Sequence, residues 1–600
     1  MGVTSAAIED HAIVGDCRSA ALVTRDGSVD WLCWPRFDSA PLFGALLDPE
    51  RGGSWRIAPR SPLRAERRYV PDTNVLVTSF ETPSGAVEIT DLMPVTPASD
   101  ARTELVPEHE LLRGVTCLRG EVDMELFFDP RAGYGGREVR LRPSDTGCRG
   151  ELAHGVIILR SDADARLEPD GTALRAAFRL REGDRSWWSL TYAHDGPAVL
   201  PALGDAAVGR VDRTARWWRS WCARMSYGGR HAEAVRRSAL VLRLLFYSPS
   251  GAVVAAPTTS LPERIGGESN WDYRYCWLRD AALTVRALAG LGYREEAEAF
   301  VSWLLHSTRL TRPEVRPLYT VFGGVPGDER EIESLDGYRG SRPVRVGNLA
   351  AEQLQLDVYG ELVEAVTLLL RGRERLDRET RSMLTEAGEF VCRNWRRADA
   401  GIWEERGSGH EHTLSRALCW IALERIIELQ DRGLLPRSHR DLFERTRQEL
   451  RQAVTREGWS DEGQSYVERS GDPAIDASLL LVGWYGFEDP ASPRMRSTVD
   501  RIRERLGAGR GLLYRRRDEA WPREGAFLVC SFWLVELLAR GGRRDEADAL
   551  FDELLGHAND VGLYAEELDP ETGGALGNFP QGLTHLGLVN AALTLAEGPS

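Results

Sequence analysis

The stretch Gly401-Ile402-Trp403-Glu404-Glu405-Arg406-Gly407 places an acidic pair beside a tryptophan, in a loop between helices predicted at residues 378–397 and 412–431. A second acidic pair stands in a comparable loop further along the chain, within Gly562-Leu563-Tyr564-Ala565-Glu566-Glu567-Leu568-Asp569. Each loop follows a long helical hairpin. The repeated order of hairpin and acidic loop predicts a helical C-terminal region whose loops carry its chemistry.

The whole C-terminal part continues this alternation of helices and loops. Apolar residues at steps of three and four predict twelve helices, at residues 231–248, 279–291, 294–306, 348–371, 378–397, 412–431, 437–455, 474–484, 492–506, 525–540, 543–556 and 582–595. Six hairpins are compatible with a closed (α/α)6 barrel, in which the long connections gather at one end. An open solenoid is the alternative, but the sequence shows no repeat of fixed length. We therefore predict the barrel.

The N-terminal part has a different pattern. From residue 8 to about 205, short alternating runs separated by turn residues predict an antiparallel β-sandwich; they include Ala20–Thr24, Gly155–Leu159, Phe178–Leu180 and Trp187–Tyr192. The pattern changes near Ala206, where a tryptophan-rich helix is predicted over Thr214–Arg224. The predicted domains are a β-sandwich at 1–205, a helical linker at 206–230 and a catalytic (α/α)6 barrel at 231–600.

Composition limits the classes of function. A chain of 600 residues exceeds what one hydrophobic core normally supports, which favours two domains. The net charge of −15 argues against an electrostatic grip on nucleic acid or on an anionic membrane. All 76 basic residues are arginine, so catalysis through a lysine Schiff base and a P-loop lysine are both excluded.

Cysteine usage and the apolar profile predict the compartment. The nine cysteines form no C-x-x-C pair, which favours buried free thiols in a reducing environment. The first residues lack the basic and apolar regions of a signal peptide. Apolar stretches also stay shorter than the roughly 20 residues of a membrane span. We expect a cytoplasmic protein.

The densest group of aromatic and polar residues is Asn270-Trp271-Asp272-Tyr273-Arg274-Tyr275-Cys276-Trp277-Leu278-Arg279-Asp280. Aromatic rings stack on the apolar face of a pyranose, and neighbouring arginine and aspartate side chains pair with vicinal hydroxyls. The alternative is a core aromatic patch with a structural ion pair at a helix N-terminus. The run therefore leaves a saccharide site and a structural patch both open.

The two acidic loops have a similar pair of interpretations. A glutamate pair in a loop is usually a solvated turn, but Trp403 could desolvate Glu404 and raise its pKa toward that of a general acid. One carboxylic acid and one carboxylate are what sugar hydrolysis requires. His585 is expected to be a satisfied helix residue. The run His410-Glu411-His412 is weak evidence for a metal, so no metal ligand and no cofactor are assigned, and any metal or phosphate dependence stays open.

In combination, ordered motifs along nearly the whole chain resemble glycoside hydrolase family 15, the group of glucoamylases and bacterial trehalases. The motifs are Ile8–Ala12, Asp26–Ser39, Asn270–Asp280, Gly337–Asn348, Gln355–Gly360, Gly401–Gly407, Glu524–Phe527 and Gly577–Gln581. The resemblance implies an N-terminal β-sandwich, a linker helix and an (α/α)6 barrel. It also implies hydrolysis of an α-glucosidic bond with inversion, releasing β-glucose.

The same resemblance implies roles for single residues. Glu404 matches the general acid and Glu566 the general base. The remaining substrate-binding positions are Tyr273, Trp277, Arg279 and Asp280, which would hold the released glucose, and Trp403, Glu405 and Arg515, the last two near the neighbouring subsite. We expect Glu404 to be the less exposed carboxyl with the higher pKa, and Glu566 to stay ionised. The carboxyl groups of an inverting pair should lie roughly 6.5–9.5 Å apart.

Substrate choice is less constrained. The segment Glu411–Arg416 departs from the family, with Leu414 and Arg416 where histidine and lysine are usual, and it could shape the leaving-group side. Trehalose is the favoured substrate and α-1,4/α-1,6 gluco-oligosaccharides are the alternative. A carbohydrate-binding protein that does not hydrolyse, a phosphorylase and a polysaccharide lyase are more remote. The expected partner is a small saccharide, and the oligomeric state stays open.

Overall fold

The computed structural model describes residues 5–96, 105–144, 147–194, 196, 198–370, 375–407, 409–517 and 524–597. Within them, antiparallel strands fill the N-terminal part up to Ala193, and helices dominate from Asp205 onward. This division into an antiparallel β part and a helical part confirms the predicted fold class.

The N-terminal strands form two antiparallel sheets. One contains β1–β5, β15 and β16, and the other contains β6–β8, β12–β14 and β17. Phe178 on β16 packs against Trp188 on β17 with their ring centroids 5.6 Å apart, so the core lies between the sheets. The strands are β1 His11–Gly15, β2 Ala20–Thr24, β3 Ser28–Cys33, β4 Pro41–Phe43, β5 Ser54–Pro59, β6 Arg64–Tyr69, β7 Leu76–Thr82, β8 Gly85–Leu92, β9 His109–Asp129, β10 Arg131–Ala132, β11 Arg137–Glu138, β12 Arg140–Ser144, β13 Gly147–Glu151, β14 Val156–Ser161, β15 Glu168–Asp170, β16 Ala173–Arg181 and β17 Arg185–Ala193.

The long strand β9 joins the two sheets. Its first half pairs with β8 and β17, and its second half pairs with β5 and β16. Gly120 lies where the strand changes sheet, with φ +73° and so close to Ser84 that a Cβ would stand 2.1 Å from the Ser84 carbonyl oxygen. Only glycine fits such a close backbone approach at positive φ. The strand can therefore serve both layers of the sandwich.

The linker helix α1 runs from Asp205 to Cys222, so it begins earlier than the predicted Thr214–Arg224. The early start has a local cause, because Gly204 precedes the helix with φ +62°. Trp221 stacks on Tyr293 with ring centroids 3.9 Å apart and donates a hydrogen bond to Glu296. The helix is therefore anchored to the helical part.

Each of the twelve predicted helical runs overlaps one helix in the described residues. The helices are α2 Ala232–Leu245, α3 Ala281–Gly290, α4 Arg294–Thr308, α5 Asp357–Leu369, α6 Arg378–Asn394, α7 Thr413–Asp431, α8 Arg440–Glu457, α9 Leu480–Trp484, α10 Pro493–Leu506, α11 Leu528–Arg540, α12 Arg544–Leu555 and α13 Gly582–Ala596.

These helices close into a ring. The odd-numbered helices from α3 to α13 contact one another in chain order, and α13 returns to α3. The even-numbered helices pack outside them. Helices α5, α11 and α13 are buried over nearly all their residues, as expected for an inner ring. The closed barrel is thus confirmed and the open solenoid is wrong.

Two helices are shorter than predicted, because their first residues serve the loop end of the barrel. The run 348–371 begins with a 3-10 turn at Leu349–Glu352, and α5 starts only at Asp357. In the run 474–484, Asp476 is extended and faces the acidic loop, and a 3-10 turn at Ala477–Leu479 leads into α9. Apolar periodicity does not distinguish such polar approach segments from a helix.

The N-terminal part packs against the loop end of the barrel. Arg274 donates hydrogen bonds to the carbonyl of Ser39 at 2.7 Å and to the hydroxyl of Tyr134 at 2.7 Å, and it pairs with Asp272. The Arg274 and Asp272 side chains are both fully buried. Within the motif Asn270–Asp280, these two residues therefore form the structural ion pair that was the alternative to a saccharide site.

The nine cysteines are all free, and eight of them are buried. This confirms the prediction of buried thiols, except for the partly exposed Cys392. Among the described residues, no helix is both long enough and apolar enough to cross a membrane.

Candidate active site

The predicted site residues lie in loops that lead into inner helices of the barrel. Tyr273, Trp277, Arg279 and Asp280 precede α3, Glu404 precedes α7, and Glu566 precedes α13. Arg515 lies in the connection between α10 and α11. Because connections from outer to inner helices meet at one end of such a barrel, residues far apart in sequence come together there.

Glu404 is held by side chains of the aromatic motif. The indole N–H of Trp277 donates a hydrogen bond to Glu404 Oε1, and Arg279 Nη1 lies 3.2 Å from the same oxygen. Burial raises the pKa of Glu404, while Arg279 and the Trp277 N–H act against that rise. Glu404 also has φ +59°, an uncommon conformation for a residue other than glycine. The loop therefore presents this carboxyl in one constrained direction.

Glu566 is the more deeply buried carboxyl. Its Oε2 accepts a hydrogen bond of 3.0 Å from the backbone N–H of Asn578, and the Tyr273 side chain also hydrogen-bonds to it. Its Oε1 has no hydrogen-bond partner among the described residues. Burial raises the pKa of Glu566 to about 7, and the Asn578 N–H, Arg515 and Tyr273 limit the rise.

Two aromatic rings connect the carboxyl groups. Tyr273 and Trp277 meet edge to face with centroids 5.1 Å apart, and both are buried. Trp277 holds Glu404 and Tyr273 holds Glu566. Burial raises the pKa of Tyr273 well above its usual range, and the charges of Glu566, Glu263 and Glu404 raise it further. The structure thus assembles the two predicted carboxyls and the aromatic motif into one site.

The expected order of burial is wrong, and so is the expected order of pKa, because Glu566 is the carboxyl whose pKa burial raises to about 7. Glu566 is 1% exposed, whereas the Glu404 side chain is 16% exposed. Glu566 lies against Gly577, where a Cβ would stand 2.4 Å from its Oε2, so backbone covers it closely. At Glu404, the Arg279 guanidinium and the Trp277 N–H offset part of the rise in pKa that burial causes. The sequence could not indicate this, because the covering residues come from other segments of the chain.

Trp403 does not perform the desolvation that the sequence suggested. Its indole N–H donates to Asp476 at 2.5 Å, and its ring packs against Phe527 and Trp533. The indole that contacts Glu404 belongs to Trp277. Trp403 therefore fixes the acidic loop from behind.

Arg279 and Asp280 pair with each other, Nε to Oδ1 at 3.0 Å. Arg279 also donates to the carbonyl of Ile402, two residues before Glu404 in the acidic loop. Both charged side chains are nearly buried, at 12% and 10% exposure. The pair places a cation and an acceptor beside the Tyr273 ring, as vicinal hydroxyls would require.

Glu405 and Arg515 do not pair with each other. Glu405 forms ion pairs with Arg469 and with Arg516. Burial alone would raise the pKa of Glu405, but these two guanidinium groups hold it below its usual range. Arg516 is thus a partner of Glu405, whereas the sequence analysis named its neighbour Arg515. Two adjacent arginines look alike in the sequence, so the pattern could not show which of them meets Glu405.

Arg515 instead anchors a buried group of carboxyls. It contacts Glu524 at 2.6 Å and Glu263 at 2.7 Å. Carboxylate oxygens of Glu263, Glu524 and Glu567 lie within 4.8 Å of one another, a spacing that could also hold a metal ion, and Arg515 supplies positive charge there. Burial raises the pKa of Glu263 to about 8. Glu567 could have been noticed beside Glu566, but Glu263 carries no sequence signal.

The segment Glu411–Arg416 lies beside the site, and its unusual residues are not directed into it. Arg416 pairs with Glu411 at 2.6 Å and with Glu457 at 2.7 Å, and Leu414 is buried in the core. Burial lowers the pKa of His412 to about 4. His585 is buried in α13, hydrogen-bonded to Ser238 at 2.9 Å, and is a satisfied helix residue as expected.

Comparisons with known proteins agree with this architecture. The family described as glycosyl hydrolases family 15 matches residues 229–593, and the family described as trehalase-like, N-terminal, matches residues 1–179. A trehalase of Mycolicibacterium smegmatis is 36% identical over 98% of this chain and 91% of its own length. A trehalase of Thermoplasma volcanium is 32% identical over 98% of this chain and 94% of its own length.

A solved structure extends the likeness to the fold of the whole chain. A bacterial glucoamylase in complex with acarbose superposes with a TM-score of 0.74, covering 100% of this chain and 95% of the other, at 11% sequence identity. At that identity the likeness concerns the fold alone.

Proposed function

The chain belongs to glycosyl hydrolases family 15 and is a glycoside hydrolase; from this premise we propose that it hydrolyses trehalose with inversion at the attacked anomeric carbon. The six curated relatives are all named trehalases, and they match 96–98% of this chain. That agreement along both domains supports trehalose over gluco-oligosaccharides.

In the proposed reaction Glu404 is the general acid. Burial keeps its carboxyl protonated at a higher pH than usual, and the Trp277 N–H orients one oxygen. The other oxygen can give its proton to the glycosidic oxygen as the bond to the anomeric carbon breaks. Arg279 then stabilises the carboxylate that remains.

Glu566 is the general base in this proposal. Its Oε2 is occupied by the Asn578 N–H, whereas its Oε1 is unpartnered and can accept a proton from water. The water oxygen bonds to the anomeric carbon on the face opposite the leaving group, and Glu566 takes its proton. With a pKa of about 7, the group is ionised in a growing fraction of molecules as the pH rises above neutrality.

Further residues of the site would bind the sugar. Tyr273, Trp277, Arg279 and Asp280 surround the position between the two carboxyls, and they would hold the glucose that is attacked. Trp403 supports the acidic loop, Glu405 and its arginine partners stand on the leaving-group side, and Arg515 acts through the carboxyl cluster behind Glu566.

One observation carries the proposal, namely the chain of contacts from Glu404 through Trp277 and Tyr273 to Glu566. It places two carboxyls of different environment around one aromatic platform, which is the arrangement that acid and base catalysis at one sugar needs.

Incubation with trehalose, maltose, isomaltose and maltotetraose in separate reactions tests the substrate. We expect glucose release from trehalose to be fastest. Rates that rise with the length of a maltooligosaccharide would instead indicate a glucoamylase-type enzyme, and no release from any of the four would contradict the hydrolytic proposal for α-glucosides.

We also propose the domain limits 1–205, 206–230 and 231–600. Strands end at Ala193, α1 covers Asp205–Cys222 and α2 starts at Ala232, so each limit falls between elements or at the start of one. A cytoplasmic location is part of the proposal, supported by nine free cysteines.

A further inference from the structure

Four residues from four segments of the chain meet at the acidic loop, and we name them the rim clamp: Trp271, Glu329, Arg345 and Arg406. The guanidinium carbons of Arg406 and Arg345 lie 4.3 Å and 4.5 Å from the centroid of the Trp271 ring. Both carboxylate oxygens of Glu329 accept hydrogen bonds from Arg406 Nη2, at 2.9 Å and 2.7 Å. Glu329 Oε1 also lies 3.4 Å from Arg345 Nε.

The clamp is a built structure. The Glu329 side chain is only 8% exposed, the Arg345 side chain 10%. The backbone N–H of Leu349 donates to Glu329 at 3.2 Å, and Arg345 donates to the carbonyl of Glu268 at 2.6 Å. Arg406 is the open member, with 45% of its side chain exposed. A cation with this exposure, fixed by a buried acid, can present its remaining N–H groups to a ligand.

The position of the clamp relative to the carboxyls follows from the chain. Arg406 is two residues after Glu404, so their Cα atoms are at most about 7 Å apart. Trp271 is two residues before Tyr273, and its carbonyl accepts from the side chain of Asn578, whose N–H holds Glu566. The clamp therefore connects the loop of the acid with the loops around the base.

Its side of the site follows from the proposed roles. A general acid protonates the leaving oxygen, and Arg406 comes two residues after Glu404, so we assign the clamp to the leaving-group side. Two guanidinium groups cover the Trp271 ring, so this position offers their polar N–H donors to a ligand. A long glucan would instead need an open aromatic ring here.

We infer that the rim clamp forms the outer wall of the leaving-group subsite and restricts the substrate to a disaccharide whose leaving sugar is a single glucose. This inference rests on the proposed trehalose hydrolysis and adds the residues that set its length selectivity. A closed wall here would meet the second sugar of trehalose with hydrogen-bond donors and would obstruct a third sugar.

The test is the ratio of kcat/KM for trehalose to kcat/KM for maltotetraose, measured in the wild type and in Arg406→Ala and Glu329→Gln. Both variants should raise KM for trehalose and lower the ratio by about tenfold or more, because each removes a charged hydrogen bond. The double exchange Arg406→Glu with Glu329→Arg restores the ion pair and should recover part of the ratio. Arg437→Ala, which removes an exposed arginine paired with Asp431 at 3.4 Å, is the control and should keep it.

The outcomes separate the two proposals. A wild type that prefers trehalose, with variants that fold by circular dichroism and keep the wild-type ratio, would overturn the inference and leave the proposed function standing. A wild type that prefers maltotetraose would overturn both. An equal loss of kcat on both substrates, with KM unchanged, would also contradict the inference, because a wall acts on binding of the leaving sugar.

Discussion

Glu404 and Glu566 differ in what surrounds each carboxyl. Glu404 has a cation and an indole N–H beside it, whereas Glu566 has one backbone N–H, a tyrosine and an unpartnered oxygen. A carboxyl in an apolar setting is favoured in its neutral form, and a carboxyl near a cation in its charged form. Burial raises the pKa of both carboxyls, and at Glu404 Arg279 and the Trp277 N–H act against that rise.

Replacing either carboxyl by an amide should remove turnover while keeping the fold. We expect Glu404→Gln and Glu566→Gln to lower kcat by 10²-fold or more, in line with general acid–base contributions. Steady-state kinetics on trehalose measure the loss, and Glu571→Gln, an exposed residue of the same loop as Glu566, should stay near wild-type activity. Wild-type kcat in either amide variant would reject the assigned roles.

The raised pKa of Glu566 predicts the acidic limb of the pH profile. The base must be ionised, so kcat/KM should fall as the pH decreases below about 7, with a slope that reports one proton. A profile of kcat/KM against pH measures this limb. Activity that is flat down to pH 5 would mean that Glu566 is ionised there.

The same pKa predicts a stability effect with a defined sign. The folded-state pKa lies above the usual 4.5, so the folded protein holds the proton more tightly and loses stability as the pH rises from about 4.5 to about 7. The full effect is on the order of 3 kcal/mol. Glu566→Gln cannot ionise, so thermal unfolding should show it gaining stability over the wild type from pH 5 to pH 8. An unchanged difference across that range would contradict the buried, raised pKa.

At the scale of elements, the helices and the residues that enter the site were predictable to different degrees. Apolar periodicity located all twelve helical runs, because a helix that packs against a neighbour must have apolar residues along the face that it buries. It failed for the approach segments at 348–356 and 474–479, where polar residues such as Asp476 leave the helix to hold the acidic loop. Local sequence predicts the face that a helix buries, and it does not predict which distant loop a polar residue will meet.

The loop before α13 gives a prediction at this scale. A Cβ at Gly577 would stand 2.4 Å from Glu566 Oε2, and Gly577 has φ +70°. Gly577→Ala should therefore displace the base and lower kcat by about tenfold or more, because a small misplacement of a catalytic group is costly.

Gly573→Ala is the matched control for that loop. Gly573 likewise has a positive φ, of +75°. A Cβ added there would meet only the flexible end of the Arg510 side chain, at 3.2 Å. Both variants should lose comparable stability from backbone strain. Equal kcat in the two variants, measured at a temperature where both are folded, would mean that Gly577 does not position Glu566.

At the scale of the whole molecule, the two parts depend on each other through Arg274. The motif Asn270–Asp280 shows a residue group with two uses: Asp272 and Arg274 hold the N-terminal part, while Tyr273 and Trp277 face the carboxyls. The sequence identified the motif but could not divide it, because the division depends on Ser39 and Tyr134 in the other part. Successive side chains of this extended segment point in opposite directions, so Asp272 and Arg274 meet the N-terminal part and Tyr273 between them meets the carboxyls.

Breaking the buried pair should destabilise the protein and the site together. Arg274→Ala leaves Asp272 uncompensated, a change that costs roughly 3–5 kcal/mol, and it should also lower kcat through Tyr273. Arg113→Ala is the control, because Arg113 and Asp91 form a fully buried pair inside the sandwich, at 2.7 Å. Thermal unfolding and kcat of the folded variants separate the two effects. We expect both variants to lose a similar amount of Tm and Arg274→Ala alone to have a lower kcat. Equal kcat values would argue against a connection between Arg274 and the active site.

The most direct test of the inverting acid–base pair is the anomeric composition of glucose released from trehalose, followed by proton NMR before mutarotation. Inversion at the attacked carbon gives one β-glucose, and the leaving sugar keeps its α configuration, so equal initial amounts of α- and β-glucose are predicted. If only α-glucose were formed at first, the attacked carbon would have retained its configuration, and the roles assigned to Glu404 and Glu566 would be wrong.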